Sequence, residues 1–382
     1  MPYQCTSTGP MATRISREGK NAITSPVYSG MLCRMLILGI ETSCDETSAA
    51  VVRDGHEVLS CVISSSQKDF VSLGGVIPED AARKQLESIL PVIEQSLLKA
   101  GISHNDLNAI AVTYGPGLLG SLLVGTSTAR VLSRMWDTPL LPVHHTLGHL
   151  SSTWLSSDEP QFPILTLSVS GGHTDLWYRT SHTSGVRTGT TRDDAAGEAF
   201  DKGAVMLGLP YPGGPALAAL AQTGNETSYP FPNPLSQDPH ADFSFSGLKT
   251  SLKYLLRDLG ENQKDSTVRA DIAASYQFAI CRHLQSRMER ALEMYPETKE
   301  LHIVGGVSAN IRLRSLTTDI GSRHSVVVRW PTSLTYCTDN AAMIAAAAYF
   351  DHIGNVEPQQ NFRTLATSSL EALLSPTKKE SC

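Results

Sequence analysis

Clustered cysteines are missing from this chain. Its seven cysteines (Cys5, Cys33, Cys44, Cys61, Cys281, Cys337 and Cys382) include no Cys-x-x-Cys pair. An odd, scattered set suits a reducing compartment better than a disulfide framework. Long apolar runs are missing too. None approaches the roughly 20 residues that a membrane-spanning helix needs, so no membrane partner is expected. The most apolar stretches, 118–124 and 341–350, read as buried helices. Nor is positive charge in excess. A net charge of -6 excludes a surface coated for nucleic acid and leaves room only for a local basic patch.

What remains is a globular composition, 41% hydrophobic and 18% charged, in 382 residues. That is more than one average domain and enough for a large core. Residues 1–34 stand apart. Arg14, Arg17, Lys20 and Arg34 face a single acid, Glu18. We expect a leader or non-structural extension there, with an organellar transit peptide as the alternative.

The apolar pattern predicts a strand over 35–40, a polar turn over 41–48 and a strand over 49–52. The turn offers the hydroxyls of Thr42 and Ser43 and the carboxylate of Asp45. A strand over 58–64 and a loop over 74–79 follow. A helix is predicted over 80–99, where Leu86, Ile89, Leu90, Ile93 and Leu97 recur at helical spacing. A strand over 108–114 is broken by Gly115-Pro116-Gly117 and leads to a helix over 118–135. Gly117, Gly120 and Gly125 read as positions of close helix packing.

The pattern then repeats. A strand over 163–169, the turn Ser170-Gly171-Gly172-His173-Thr174 and a returning strand over 175–179 restate the opening. Ser43-x-x-x-Thr47 and Ser170-x-x-x-Thr174 hold the same place between two strands. Later a strand over 301–304, the Gly305-Gly306 loop and a helix from Ser308 echo 108–135. An internal duplication follows. Two such lobes enclose a cleft, and two polar hairpins bracket phosphates from both sides. Gly171 and Gly172 let the backbone approach closely. This is the logic of an α/β, actin-like ATPase fold with two duplicated lobes around a nucleotide cleft. The expected lobes are 35–152 and 153–360, with a polar, partly disordered tail over 361–382.

Chemistry-bearing residues fall at several points. His145 and His149, four apart, share one helix face. They can hold a metal ion if the chain brings a third ligand; an ordinary helix with satisfied histidines is the alternative. Asp194, Glu198 and Asp201 read as one acidic helix stripe with Lys202 as the only base nearby. The rigid loop 210–215 can lie along a ribose or base. Lys249, Lys253 and Arg257 form the best local basic stretch, though a solvated helix face is the favoured reading of it. A long amphipathic helix is expected over 267–295. Gly305 and Gly306 leave room for a flat ring, and Asn310 can hydrogen-bond a base or ribose. Asp339 either caps the helix after it or turns outward as an oxygen ligand.

Together, Gly39–Ser48, Gly115-Pro116-Gly117, His145-x-x-x-His149, Ser170–Thr174, Asp193–Lys202, Phe243–Thr250, Gly305–Asn310 and Cys337–Asn340 resemble one family. It is the bacterial and organellar tRNA threonylcarbamoyladenosine synthases, the tRNA N6-adenosine threonylcarbamoyltransferases once called O-sialoglycoprotein endopeptidases. The resemblance runs from about residue 35 to about residue 350. It implies an acyltransferase that moves threonylcarbamoyl from threonylcarbamoyl-AMP to N6 of the adenosine beside the anticodon in tRNAs reading ANN codons. By position it implies His145, His149 and Asp339 as catalytic metal ligands, for one divalent ion per subunit, iron first and zinc second. It implies Ser168, Val169, Ser170, Gly171, Gly172, Asp201, Gly214 and Asn310 at the adenylate. It further implies a cytoplasmic protein with a paralogous partner subunit and a small ATPase, or a homodimer if mitochondrial.

The segment Pro78–Gln85 departs from the family pattern. Asp80 and Gln85 stand where the family often has an apolar residue and a histidine, which puts a tRNA or partner contact there in doubt. Two other readings compete. A metallopeptidase needs His-Glu-x-x-His, and Thr146 occupies the place of its base. A non-catalytic nucleotide-binding subunit has no need of His145, His149 and Asp339 together.

Overall fold

The computed structural model describes residues 34–65, 77–353 and 361–374, with backbone alone at 352–353. The expected leader lies outside the described residues except for Arg34, as do residues 74–76 of the predicted loop and 375–382 of the tail.

Strand β1 (Leu36–Glu41) pairs antiparallel with β2 (Glu46–Arg53), and β2 with β3 (Glu57–Ser65). On the other side of β1, β4 (Ala109–Gly115) and β5 (Leu140–His144) add in parallel. A second set repeats this. Strands β6 (Ile164–Val169), β7 (Thr174–Ser181) and β8 (Ser184–Thr190) are antiparallel neighbours, and β9 (Glu300–Val304) and β10 (Val327–Arg329) extend β6 in parallel. The sheet orders β3-β2-β1-β4-β5 and β8-β7-β6-β9-β10 match strand for strand. The duplication read from two serine–threonine turns is therefore a duplication of the whole sheet.

Helices cover the sheets. α1 (Pro78–Ala100) and α2 (Leu119–Met135) pack Ile89, Ile93, Val124 and Leu132 on Leu38, Ile40, Val51 and Ile110. α1 has proline at its start, where no N–H partner is needed, and ends at Gly101 with φ 68°. The short α3 (His145–Ser151) leaves β5 directly. On the second sheet lie α4 (Ala196–Met206), α5 (Gly213–Ala221), α6 (Ser246–Leu259), α7 (Ser266–Met294) and α8 (Ile311–His324). Their core joins Leu165, Leu167, Leu301 and Ile303 to Phe200, Phe243, Phe245 and Tyr276.

The last long helix, α9 (Ala341–Ile353), departs from the expected lobes. It follows the second sheet in sequence but packs on the first, against Ile37, Ala111 and Val143. Its alanine run lets the backbones close in. A Cβ on Gly39 would sit 2.1 Å from the Ala341 carbonyl oxygen. A lobe drawn as 153–360 thus cuts across this packing. The described part of the tail, 361–374, is likewise packed: it crosses the first lobe and includes α10 (Glu371–Leu374), with Leu370 and Leu374 buried in the same core.

Within α2 the apolar stretch is only half buried. Leu122 and Val124 face the core, while Leu119 and Leu123 face outward.

Candidate metal centre and nucleotide cleft

β5 ends at His144, whose own ring starts the next helix: its Nδ1 accepts from the Thr146 N–H at 3.2 Å. That cap sets α3 so that His145 and His149, one turn apart, stand edge to face with ring centres 4.7 Å apart. From far along the chain comes Asp339. It does not cap α9. Asn340 does, accepting from the Met343 N–H at 3.0 Å, while Ala341 N–H donates to the Ser48 hydroxyl at 3.0 Å. With the cap supplied by its neighbour, Asp339 turns to the imidazoles. Its Oδ1 lies 3.1 Å from His149 Nε2 and 3.6 Å from His145 Nε2. Among the described residues, donor atoms of these three lie within 4.8 Å of one another.

The donor set fits a divalent ion. Two imidazoles and one carboxylate form a set that iron and zinc both accept, with positions left for substrate. The second nitrogen of His145 is occupied elsewhere. Nδ1 lies 3.2 Å from Glu41 Oε2 and 3.1 Å from Ser43 Oγ, so it donates to the carboxylate and leaves Nε2 facing Asp339. Glu41 is fully buried at the end of β1 and further accepts from Thr113 Oγ1 at 2.5 Å and the Ser43 N–H at 2.6 Å. A carboxylate behind a ligand imidazole fixes its tautomer and orientation. Sequence reasoning quoted Glu41 only inside a polar turn. The available signal was an acid closing an otherwise apolar strand.

Charge follows this geometry. Burial disfavours the charged form of His145, but Asp339 and Glu41 outweigh it and raise the ring to about 9. Burial works against the Asp339 carboxylate too, yet His145, His149 and His173 hold it well below the usual range. Burial, with Asp45 and Asp339, pushes the Cys44 thiol up, so it stays protonated and unsuited to nucleophilic attack.

The triad opens into a cleft of 630 Å³ between the sheets. One wall is Ser43, Cys44, Glu46 and Pro116–Leu118; the other is Ser170–His173 and Gly306. Of the expected adenylate positions, Ser170, Gly171 and Gly172 line it. Ser168 and Val169 lie buried inside β6. Asp201, Gly214 and Asn310 stand outside the lining. Asp201 Oδ1 accepts from the Gly214 N–H at 3.1 Å and so ties α4 to the start of α5. Asn310 caps α8 and donates to Gln277 Oε1 at 2.8 Å.

Other expectations change. Asp194 precedes α4 and is not on its face. It holds Lys202 at 3.1 Å and Lys249 at 2.6 Å, so Lys202 is not the only base nearby and Lys249 is not free for nucleic acid. Gln85 is 1% exposed, which removes it from any tRNA or partner surface. Its Nε2 points at the carbonyls of Cys44 (3.0 Å) and Glu46 (2.9 Å) and pins the turn under the cleft. Of the three glycines read as close helix packing, Gly125 is one, since a Cβ there would meet Thr42 Oγ1 at 2.3 Å; Gly117 lies before α2 and packs on the turn, with Ser43 O at 2.4 Å, and Gly120 has only an ordinary contact, 3.4 Å to Ala82.

Fold and site together define an enzyme of the actin-like ATPase fold with a candidate metal centre in its inter-lobe cleft. Solved structures agree on the fold. The chain superposes on the Acidaminococcus fermentans (R)-2-hydroxyglutaryl-CoA dehydratase component A with a TM-score of 0.50 and 14% identity, over 84% of this chain and 99% of that one. It matches T. kodakarensis HypF at a TM-score of 0.56 and 14% identity, over 86% of this chain and 49% of that one. The family model of the tRNA N6-adenosine threonylcarbamoyltransferases matches residues 57–346. Proteins of that name from Moorella thermoacetica (45% identical, over 83% of this chain and 92% of theirs) and Bacillus subtilis (44%, over 82% and 89%) are similar to it. The chain belongs to the tRNA N6-adenosine threonylcarbamoyltransferase family, and it is an acyltransferase. The peptidase and non-catalytic readings fall away.

Proposed function

We propose that this cleft transfers the threonylcarbamoyl group of threonylcarbamoyl-AMP to N6 of the adenosine beside the anticodon in tRNAs reading ANN codons. The observation that carries the reading is the convergence of His145, His149 and Asp339 on one point at the wall of the cleft. The N6 amine attacks the carbamoyl carbon, a C–N bond forms, the C–O bond to phosphate breaks, and AMP leaves as the amine loses one proton. His145, His149 and Asp339 would hold a divalent ion, iron first and zinc second, which when bound would supply Lewis-acid stabilisation of developing charge. The chain does the rest. Gly171 and Gly172 leave backbone open to phosphate, and Ser43 and Ser170 offer hydroxyls from the two hairpins. Asp201, Gly214 and Asn310 extend the adenylate site beyond the cleft wall. The mixed anhydride is already activated and Cys44 is a thiol, so no covalent enzyme intermediate forms.

Glu41 is the positioning residue of this scheme. Glu41→Gln is expected to weaken metal affinity by about 10–100-fold while the protein stays folded, as read by cobalt or zinc titration and thermal melting. Unchanged affinity removes Glu41 from the account.

A macromolecular partner fits the outer face of the first lobe. Leu86 and Leu90 of α1 and Leu119 and Leu123 of α2, each pair four apart, are exposed on helices that lie side by side. We assign this face to a paralogous subunit, working with a small ATPase, or to a second copy of the chain. No helix among the described residues is long and apolar enough to cross a membrane. The reading places the protein in the cytoplasm, or in the mitochondrion if residues 1–34 are a transit peptide. Purified protein should be incubated with tRNA and threonylcarbamoyl-AMP, alone and with partner proteins, and the digested tRNA analysed by mass spectrometry. Threonylcarbamoyladenosine is expected; unmodified adenosine in both arms overturns the reading.

A further inference from the structure

The tail enters the cleft. Residues 362–368 run as a strap along the first lobe, held at five points. Arg130 donates to the Phe362 carbonyl at 2.6 Å and lies 4.3 Å over its ring. The hydroxyls of Thr126 and Thr364 meet at 3.0 Å. Leu365 N–H donates to Tyr114 O at 2.9 Å, and Gly117 N–H to Ala366 O at 3.1 Å. His144 Nε2 donates to Ser368 O at 3.3 Å. The strap passes so close to β4 that a Cβ on Gly115 would sit 2.2 Å from Leu365 O. Glycine at 115 is what lets it lie there.

These anchors leave one stretch facing the cleft. Ala366, Thr367 and Ser368 line the cleft together with the triad, and Ala366 and Thr367 are exposed to it. The opposite wall is of another kind. Gly171, Gly172 and Gly306 have nothing within 4 Å of where a Cβ would stand, so that wall offers open backbone to a nucleotide. The strap is also registered to the metal centre through one residue. His144 caps α3 with Nδ1 and holds Ser368 with Nε2, and α3 carries both candidate ligands.

We propose that the strap is the acyl-selecting wall of the site: Ala366, Thr367 and Ser368 receive the amino-acid end of the donor, a small group bearing a hydroxyl and a carboxylate, while the glycine wall receives the nucleotide. This rests on the transferase reading above but is tested separately from it. The test is calorimetric binding to the full-length protein of two probes, AMP and a non-hydrolysable threonylcarbamoyl-adenylate analogue. Thr367→Trp fills the wall and is expected to weaken the analogue at least about tenfold while AMP binding and the melting temperature hold. Thr367→Ser should bind both probes as the parent does. Gly115→Ala, which displaces the strap from behind, should reproduce the selective loss. Equal binding of the analogue by Thr367→Trp and the parent overturns the proposal, and so does equal weakening of both probes. Because binding is read directly, a parent that fails to modify tRNA counts against the transferase reading and not against the strap.

Discussion

Replacing His145 by alanine is expected to abolish tRNA modification and leave adenylate binding nearly intact. The change removes one of three donors and frees the buried Glu41 carboxylate from its partner. A Lewis acid is worth several kcal/mol at the transition state, so a loss of about 10³-fold or more is expected. In the proposed arrangement AMP lies on the Gly171-Gly172 turn of the other wall, which the change leaves untouched. Asp339→Asn should behave the same way, since it lowers the charge that both Nε2 atoms face. The measurements are single-turnover modification and AMP calorimetry on both variants. Full activity in His145→Ala takes the metal out of the mechanism; lost AMP binding moves the triad into the nucleotide site.

Mild acid is expected to destabilise the protein far from the triad. His283 and His302 are fully buried, and burial pushes each down to about 4, with Arg287 and Arg179 respectively adding to it. His283 Nε2 accepts from the Ser244 N–H at 3.1 Å, a bond that protonation removes. In the unfolded chain both rings titrate near 6.5. The unfolded state therefore binds more protons between pH 6.5 and 4, and stability complete above 6.5 falls as pH falls. At pH 5 each ring costs about 2 kcal/mol, together ~4 kcal/mol against a total of about 5–15. The melting temperature should drop by roughly 10 °C from pH 7.5 to pH 5. His302→Gln should flatten that slope. A melting temperature level across the range contradicts the assignment of these rings as buried and neutral.

Much of the fold was legible because both sheets are built from apolar runs that end in polar turns. Ser43-x-x-x-Thr47 and Ser170-x-x-x-Thr174 marked the duplication because each turn must return the chain antiparallel. The triad was legible for His145 and His149, whose spacing is a helix turn. Asp339 came from family resemblance, since spacing alone allowed a cap. The structure shows why it is not one: Asn340 holds that role. Three things were hidden. The stripe of Asp194, Glu198 and Asp201 assumed a helix two residues too early; α4 begins only at Ala196, where Gly197 lies against the Ser170 carbonyl. Glu41 works through burial, which a polar neighbourhood masks. Four of the strap's five anchors use its backbone carbonyls and N–H groups, which leave no trace in composition, so a polar tail read as a loose one.

Anomalous diffraction from crystals grown with iron or zinc reads the metal centre itself. One peak per chain is expected, within bonding reach of His145 Nε2, His149 Nε2 and an Asp339 oxygen, and it should be lost in His145→Ala. A peak held by other residues, or none at the triad in metal-saturated crystals, contradicts a metal centre there.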